Sequence, residues 1–195
     1  MLVVTRIIGL MTLMLALSGC MSDMIAEADK APARQDQIVL VGKMVISPDI
    51  PQYVATGLRD PLGLGKKYAE NRVGTAFSTQ PVKPQGMFLY GNENRALPLS
   101  QTFFITVPRA TLYLQEGVYS LNTAGMSQIK LPGGLRTRMP AGAQVAYVGT
   151  VVYRRDDFYT ITSTTVRDEF ARTLPEIRAK YGADVTVGKA LLHRF

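Results

Sequence analysis

The chain has 195 residues, enough for one domain with a sizeable core and short for two. A composition of 47% hydrophobic and 19% charged residues excludes wholesale disorder. One Cys and one His exclude an intrachain disulfide and a Cys/His zinc centre, no cofactor motif emerges, and the net charge of +7 must sit somewhere particular.

The first signal in chain order lies at the N-terminus. Arg6 and the amino group give a short positive segment, and an apolar run of eleven residues follows from Ile7 to Leu17, broken only by Gly9 and Thr12. A membrane-crossing helix takes about 20 residues, so this run reads as the apolar part of a secretory signal. Leu17-Ser18-Gly19-Cys20 ends it. That order of branched apolar, small, small and Cys resembles the lipobox of bacterial lipoproteins, over these residues alone. The resemblance implies that residues 1–19 are removed as a signal peptide and that the Cys20 thiol is diacylated, with palmitate among its acyl groups. The new amino group is then open to acylation as well. The mature chain would be held to a membrane by lipid and would not span it. Each buried methylene contributes about 0.8 kcal/mol, so one chain binds marginally and two or three anchor firmly. Met21 follows Cys20 where inner-membrane lipoproteins of enteric bacteria carry Asp, so the resemblance further implies the outer membrane, facing the periplasm.

Residues 20–37 are polar and Ala-rich without a sustained apolar face, and read as the lipidated Cys and a tether. As coil, such a segment averages roughly 20–25 Å. Residues 38–195 read as a single domain. Ile38 to Ile46 is β-branched and apolar, as a buried strand requires, and Ser47-Pro48-Asp49 stops it. Residues 55–86 carry Gly57, Pro61, Gly63, Gly65, Gly74, Pro81 and Pro84 without clean periodicity, which predicts a long loop.

Short strands follow: 87–90, 102–107, 111–114, 118–121, 127–131, 135–139, 144–153 and 158–164. Tight turns at Pro132-Gly133-Gly134, Pro140 to Ala143 and Arg154 to Asp157 favour antiparallel neighbours. One helix is expected over about 166–181, because Phe170, Leu174, Ile177 and Tyr181 fall on one helical face. Thr165 is its expected cap, Gly182 its stop, and Pro175 a kink or restart. Residues 184–187 would return as a strand. The expected class is mainly β: an antiparallel β-sandwich with one C-terminal helix. Thr111-Leu112-Tyr113-Leu114, Gly117-Val118-Tyr119-Ser120-Leu121, Pro140-Ala141-Gly142 and Tyr147-Val148-Gly149-Thr150 resemble transthyretin-like β-sandwiches of small bacterial lipoproteins. This resemblance covers about a third of the chain and implies a fold, with no activity attached.

Catalytic patterns fail. Gly125-Met126-Ser127-Gln128-Ile129 has Ile129 where the nucleophile elbow needs Gly, and the one imidazole, His193, reads as a tail residue. Ser127 and Lys130 fit S-x-x-K in spacing, yet a strand sends i and i+3 to opposite faces. Gly65-Lys66 lacks the first Gly of a phosphate loop. Asp156 and Asp157 read as a solvated turn. No catalytic or metal-ligating residue is assigned, and an enzyme is the least supported class.

Charge is more informative. Residues 95–155 hold Arg95, Arg109, Lys130, Arg136, Arg138, Arg154 and Arg155 against Glu116 alone, while 21–94 and 156–195 each balance. Arg136 and Arg138 are two apart in a predicted strand and share a face. With Arg154 and Arg155 they form the candidate surface for an anionic partner, the hairpin at Pro140 to Ala143 laying the two strands side by side. The partner would be an anionic lipid, the cell wall or an acidic envelope protein. A secretory signal removes the chain from cytoplasmic nucleic acid, and no aromatic–basic stacking motif is present. The expected function is a lipid-anchored, periplasm-facing binding or scaffolding module of the bacterial envelope. The alternative is an accessory lipoprotein subunit of a secretion or export machine.

Overall fold

Ile38-Val39-Leu40-Val41 is apolar at every position, and a strand of that kind is stable only when both its faces are covered. The structure, a computed structural model, meets that requirement. It describes Ala28 and residues 35–51, 72–81, 94–121 and 128–195. In chain order its strands are β1 (Gln37–Ser47), β2 (Arg72–Ser78), β3 (Asn94–Pro98), β4 (Thr102–Pro108), β5 (Thr111–Leu114) and β6 (Gly117–Ser120). There follow β7 (Gln128–Leu131), β8 (Leu135–Arg138), β9 (Val145–Arg155) and β10 (Ile161–Arg167), then the helix α1 (Phe170–Tyr181), β11 (Val187–Lys189) and β12 (His193–Arg194).

Two sheets result. One has the order β10-β9-β1-β4, with β11 also on β9; the other runs β12-β8-β5-β2-β6-β7, with β3 on β2. Pairing is mostly antiparallel, while β9 lies parallel to β1 and β11. Ile38, Leu40, Met44 and Ile46 of β1 and Phe103, Ile105 and Val107 of β4 share one buried cluster with Val73, Phe77, Leu112, Leu114, Tyr119, Ile129 and Leu131 of the other sheet. Phe77 and Phe103 meet across it at 6.3 Å between ring centroids. The protein is a mainly β sandwich. The other face of β1 turns Val39 and Val41 towards Phe104, Val145 and Ile177, so α1 forms a partial third layer.

β9 serves both layers through one irregularity. Val41 pairs with Tyr147 and Lys43 with Thr150, so β9 holds one more residue than β1 between those points. The surplus is a β-bulge. Before it Ala146 and Val148 enter the core; after it Val151 and Tyr153 do. Gly149 sits there at φ 96°, where a Cβ would lie 2.7 Å from Val166 Cγ1 and 3.1 Å from the Arg167 carbonyl. The bulge also separates the two short partners on that edge: β11 pairs up to Tyr147 and β10 from Thr150.

Several expectations are corrected. The helix begins at Phe170, not near 166, because Thr165 to Arg167 pair with β9. Thr165 therefore caps nothing; the Tyr147 hydroxyl accepts from Glu169 N (2.7 Å) and the Asp168 carboxylate from Phe170 N (3.0 Å). Pro175 lies inside the helix and does not end it. The expected loop over 55–86 contains β2, a central strand with Val73, Thr75 and Phe77 buried. The strand expected at 87–90 falls outside the described residues. Pro140 to Ala143 is not a hairpin: it carries the chain from β8 in one sheet to β9 in the other. Ala28 is buried, donates from N to the Phe104 carbonyl (2.9 Å) and accepts the Tyr181 hydroxyl on its own carbonyl.

Candidate anion-binding face

β8 reads Leu135-Arg136-Thr137-Arg138, and its burial alternates in register: Leu135 and Thr137 inward, Arg136 and Arg138 outward. The Thr137 hydroxyl donates to the Ala190 carbonyl, which fixes the strand's facing. Directly opposite residues of an antiparallel pair share a face. Arg136 is opposite Tyr113 on β5 and His193 on β12, and Arg138 is opposite Thr111. The sheet thus presents a row, His193–Arg136–Tyr113, with Arg138 about 7 Å further along β8. Arg136 Nε donates to His193 Nε2 at 3.3 Å, which places the imidazole proton on Nδ1, 3.3 Å from the Leu191 carbonyl. Phe195 stands edge-on to Tyr113 at 5.1 Å. No acidic side chain occurs on β5, β8 or β12. Two exposed guanidiniums at this spacing can each take one oxygen pair of successive anionic groups.

Arg154 and Arg155 do not join this row. They end β9, in the opposite sheet, and pair with β10 rather than β8. Arg155 is committed to the framework: its guanidinium donates to the carbonyls of Pro48 (3.0 Å), Asp49 (2.8 Å) and Asp156 (2.9 Å) and stacks on Tyr159. Arg154 is exposed. Arg109 also leaves the charge ledger, since it binds the carbonyls of Gln35, Gln37, Pro140 and Ala143 at 2.7–3.3 Å. It clamps the start of β1 to the segment entering β9. Lys130 and Arg154 are also exposed, on β7 and β9, but Arg136 and Arg138 are the pair brought together on one strand face, and His193 joins them. No sequence signal marks His193, because only the return of the C-terminus to β8 brings it there.

A second feature lies where β10 passes into α1: a surface cleft of about 470 Å³ lined by Arg167, Asp168, Glu169, Phe170, Arg172 and Lys189. Lys189 bonds Asp168 at 2.7 Å and covers the Phe170 ring at 5.0 Å. The Lys189 ammonium, with the Phe170 N–H, holds the Asp168 carboxyl below its ordinary range. Thr150 donates to Glu169 at 2.7 Å. Burial pushes the Tyr147 phenol up, against the bond from Glu169 N.

Asp156 organises the β9–β10 turn, accepting from Phe158 N (2.9 Å) and Thr160 N (2.8 Å). Among the described residues no group of three His, Cys, Asp or Glu could hold a metal ion, and no helix is long and apolar enough to cross a membrane. Cys20, Gly65-Lys66 and Ser127 lie outside the described residues. No family model, curated protein or solved structure matches the chain.

Proposed function

We propose that this chain is a lipid-anchored, periplasm-facing β-sandwich of the bacterial envelope that works by binding rather than by catalysis. The location rests on Leu17-Ser18-Gly19-Cys20 and the apolar run before it. The observation that carries the binding reading is the outward pair Arg136 and Arg138 beside His193 and Tyr113, on strands without an acidic residue. The partner chemistry is a repeated anionic group, with cell-wall carboxylates as the first candidate. Attraction of this kind is screened over about 10 Å at 0.1 M salt, so binding should weaken as salt rises.

The experiment is co-sedimentation of the full chain, in mild detergent, with purified cell wall and with a polyglutamate resin, at low and high salt. Arg136→Gln with Arg138→Gln should remove most of the low-salt retention, because exposed positions of this kind leave folding intact. Equal retention of the variant and the parent would overturn the reading.

A further inference from the structure

The β9–β10 turn is built to display one aromatic ring. Phe158 is 87% exposed, the most exposed large apolar side chain among the described residues. Nothing about the turn is loose. Asp156 ties Phe158 N and Thr160 N, Asp156 N bonds the Thr160 carbonyl (3.0 Å), and Arg155 fastens the turn to Pro48 and Asp49. Tyr159 adopts φ 63°, unfavourable for a non-glycine residue, and packs against the core. The chain holds a strained backbone that turns Tyr159 in and leaves Phe158 out, with the exposed carboxylate of Asp157 beside it.

The cleft at the other end of β10 has the complementary character. Its aromatic element is Phe170, and Asp168 and Glu169 are already engaged by Lys189 and Thr150. Arg167 and Arg172 are exposed and line the same cleft. An aromatic ring next to a carboxylate on one side thus matches an aromatic-lined cleft with two guanidiniums on the other. The six residue steps from Ile161 to Arg167 put the two features about 20 Å apart, so one copy cannot satisfy itself. The turn also carries Arg154 and Arg155 against Asp156 and Asp157, no net charge, which gives it no pull towards an anionic membrane.

We infer that the Asp157-Phe158 tip of one copy docks in the Arg167–Phe170–Arg172 cleft of a second copy. The contact is heterologous. It leaves a tip at one end and a cleft at the other, so it repeats into a ring or an open row of copies. Such a row would set the Arg136 and Arg138 faces of many copies side by side, which supplies multivalency to the proposed binding. The self-association itself does not depend on that reading.

The test is disulfide trapping in the full chain expressed in bacteria, read on non-reducing gels. The double variant Thr160→Cys with Ala171→Cys, at exposed positions beside the tip and in the cleft lining that leave Asp157, Arg167 and Arg172 in place, should give a ladder of dimers, trimers and larger species under mild oxidant. Thr160→Cys and Ala171→Cys expressed together as separate chains should stop at their mixed dimer. The control pair Thr160→Cys with Arg138→Cys, on the other sheet, and the parent with Cys20 alone should give no ladder. Adding Phe158→Ala to the trapping pair should cut the crosslinked fraction about tenfold, the loss expected for an aromatic anchor. No ladder, or an equal ladder from the control pair, overturns the proposal. Failure here with salt-sensitive cell-wall retention intact would remove self-association and leave the binding reading standing.

Discussion

Two side chains show how the same polar chemistry serves opposite ends. Tyr153 is 1% exposed in the core, and its hydroxyl has no hydrogen-bond partner among the described residues. Burial raises its phenol far above the ordinary value. At neutral pH the hydroxyl returns little, so Tyr153→Phe should change stability by less than about 1 kcal/mol. At alkaline pH the variant should differ. Unfolded Tyr ionises above about pH 10 while the buried phenol stays neutral, so stability falls as pH rises past that value. Tyr153→Phe should unfold later in an alkaline titration followed by circular dichroism, and an unchanged midpoint would contradict the assignment. Arg109 is the reverse case, a polar group with four of its five N–H donors engaged. Arg109→Ala strips donors from four carbonyls at once, Ala143 among them. A loss of about 2–4 kcal/mol is expected in denaturant unfolding, and Arg109→Lys, lacking the planar fork, should recover only part of it.

At the scale of elements, the long strands and the helix were legible because their patterns are local. β1 has its β-branched run, β8 its strict alternation, and α1 its apolar positions at 170, 174, 177 and 181. β2 was hidden by Gly74 and by the Gly and Pro residues around it, although Val73, Thr75 and Phe77 alternate as a strand should. β12 has two residues, too few for any period. Which sheet a strand joins was not legible at all. The turn at 140–143 looks like a hairpin, and its crossing between sheets depends on contacts as distant as Arg109 with Pro140 and Ala143. That crossing is why Arg136 and Arg138 remain a pair while Arg154 and Arg155 fall elsewhere. The bulge in β9 offers the element's own test. Gly149→Ala meets both a positive φ and the Val166 side chain, so a loss of about 2 kcal/mol or more is expected by thermal unfolding. A variant as stable as the parent would mean that the bulge relaxes freely.

At the scale of the whole molecule, the proposed lipid on Cys20 would tie a shaped β domain to a membrane. Ala28 is already part of the fold, so eight residue steps from Cys20 bring the chain to the β4 edge, at most about 29 Å. A lipid on Cys20, as proposed, would hold the domain within that distance of the membrane surface. Everything said of location follows from Cys20, and the measurement that tests it most directly is metabolic labelling with palmitate, combined with the mass of the mature N-terminus. The parent chain should take up label and lose residues 1–19, while Cys20→Ser should take up none and keep them. Label in the Cys20→Ser chain, or an unlabelled parent that retains its first nineteen residues, would contradict the account.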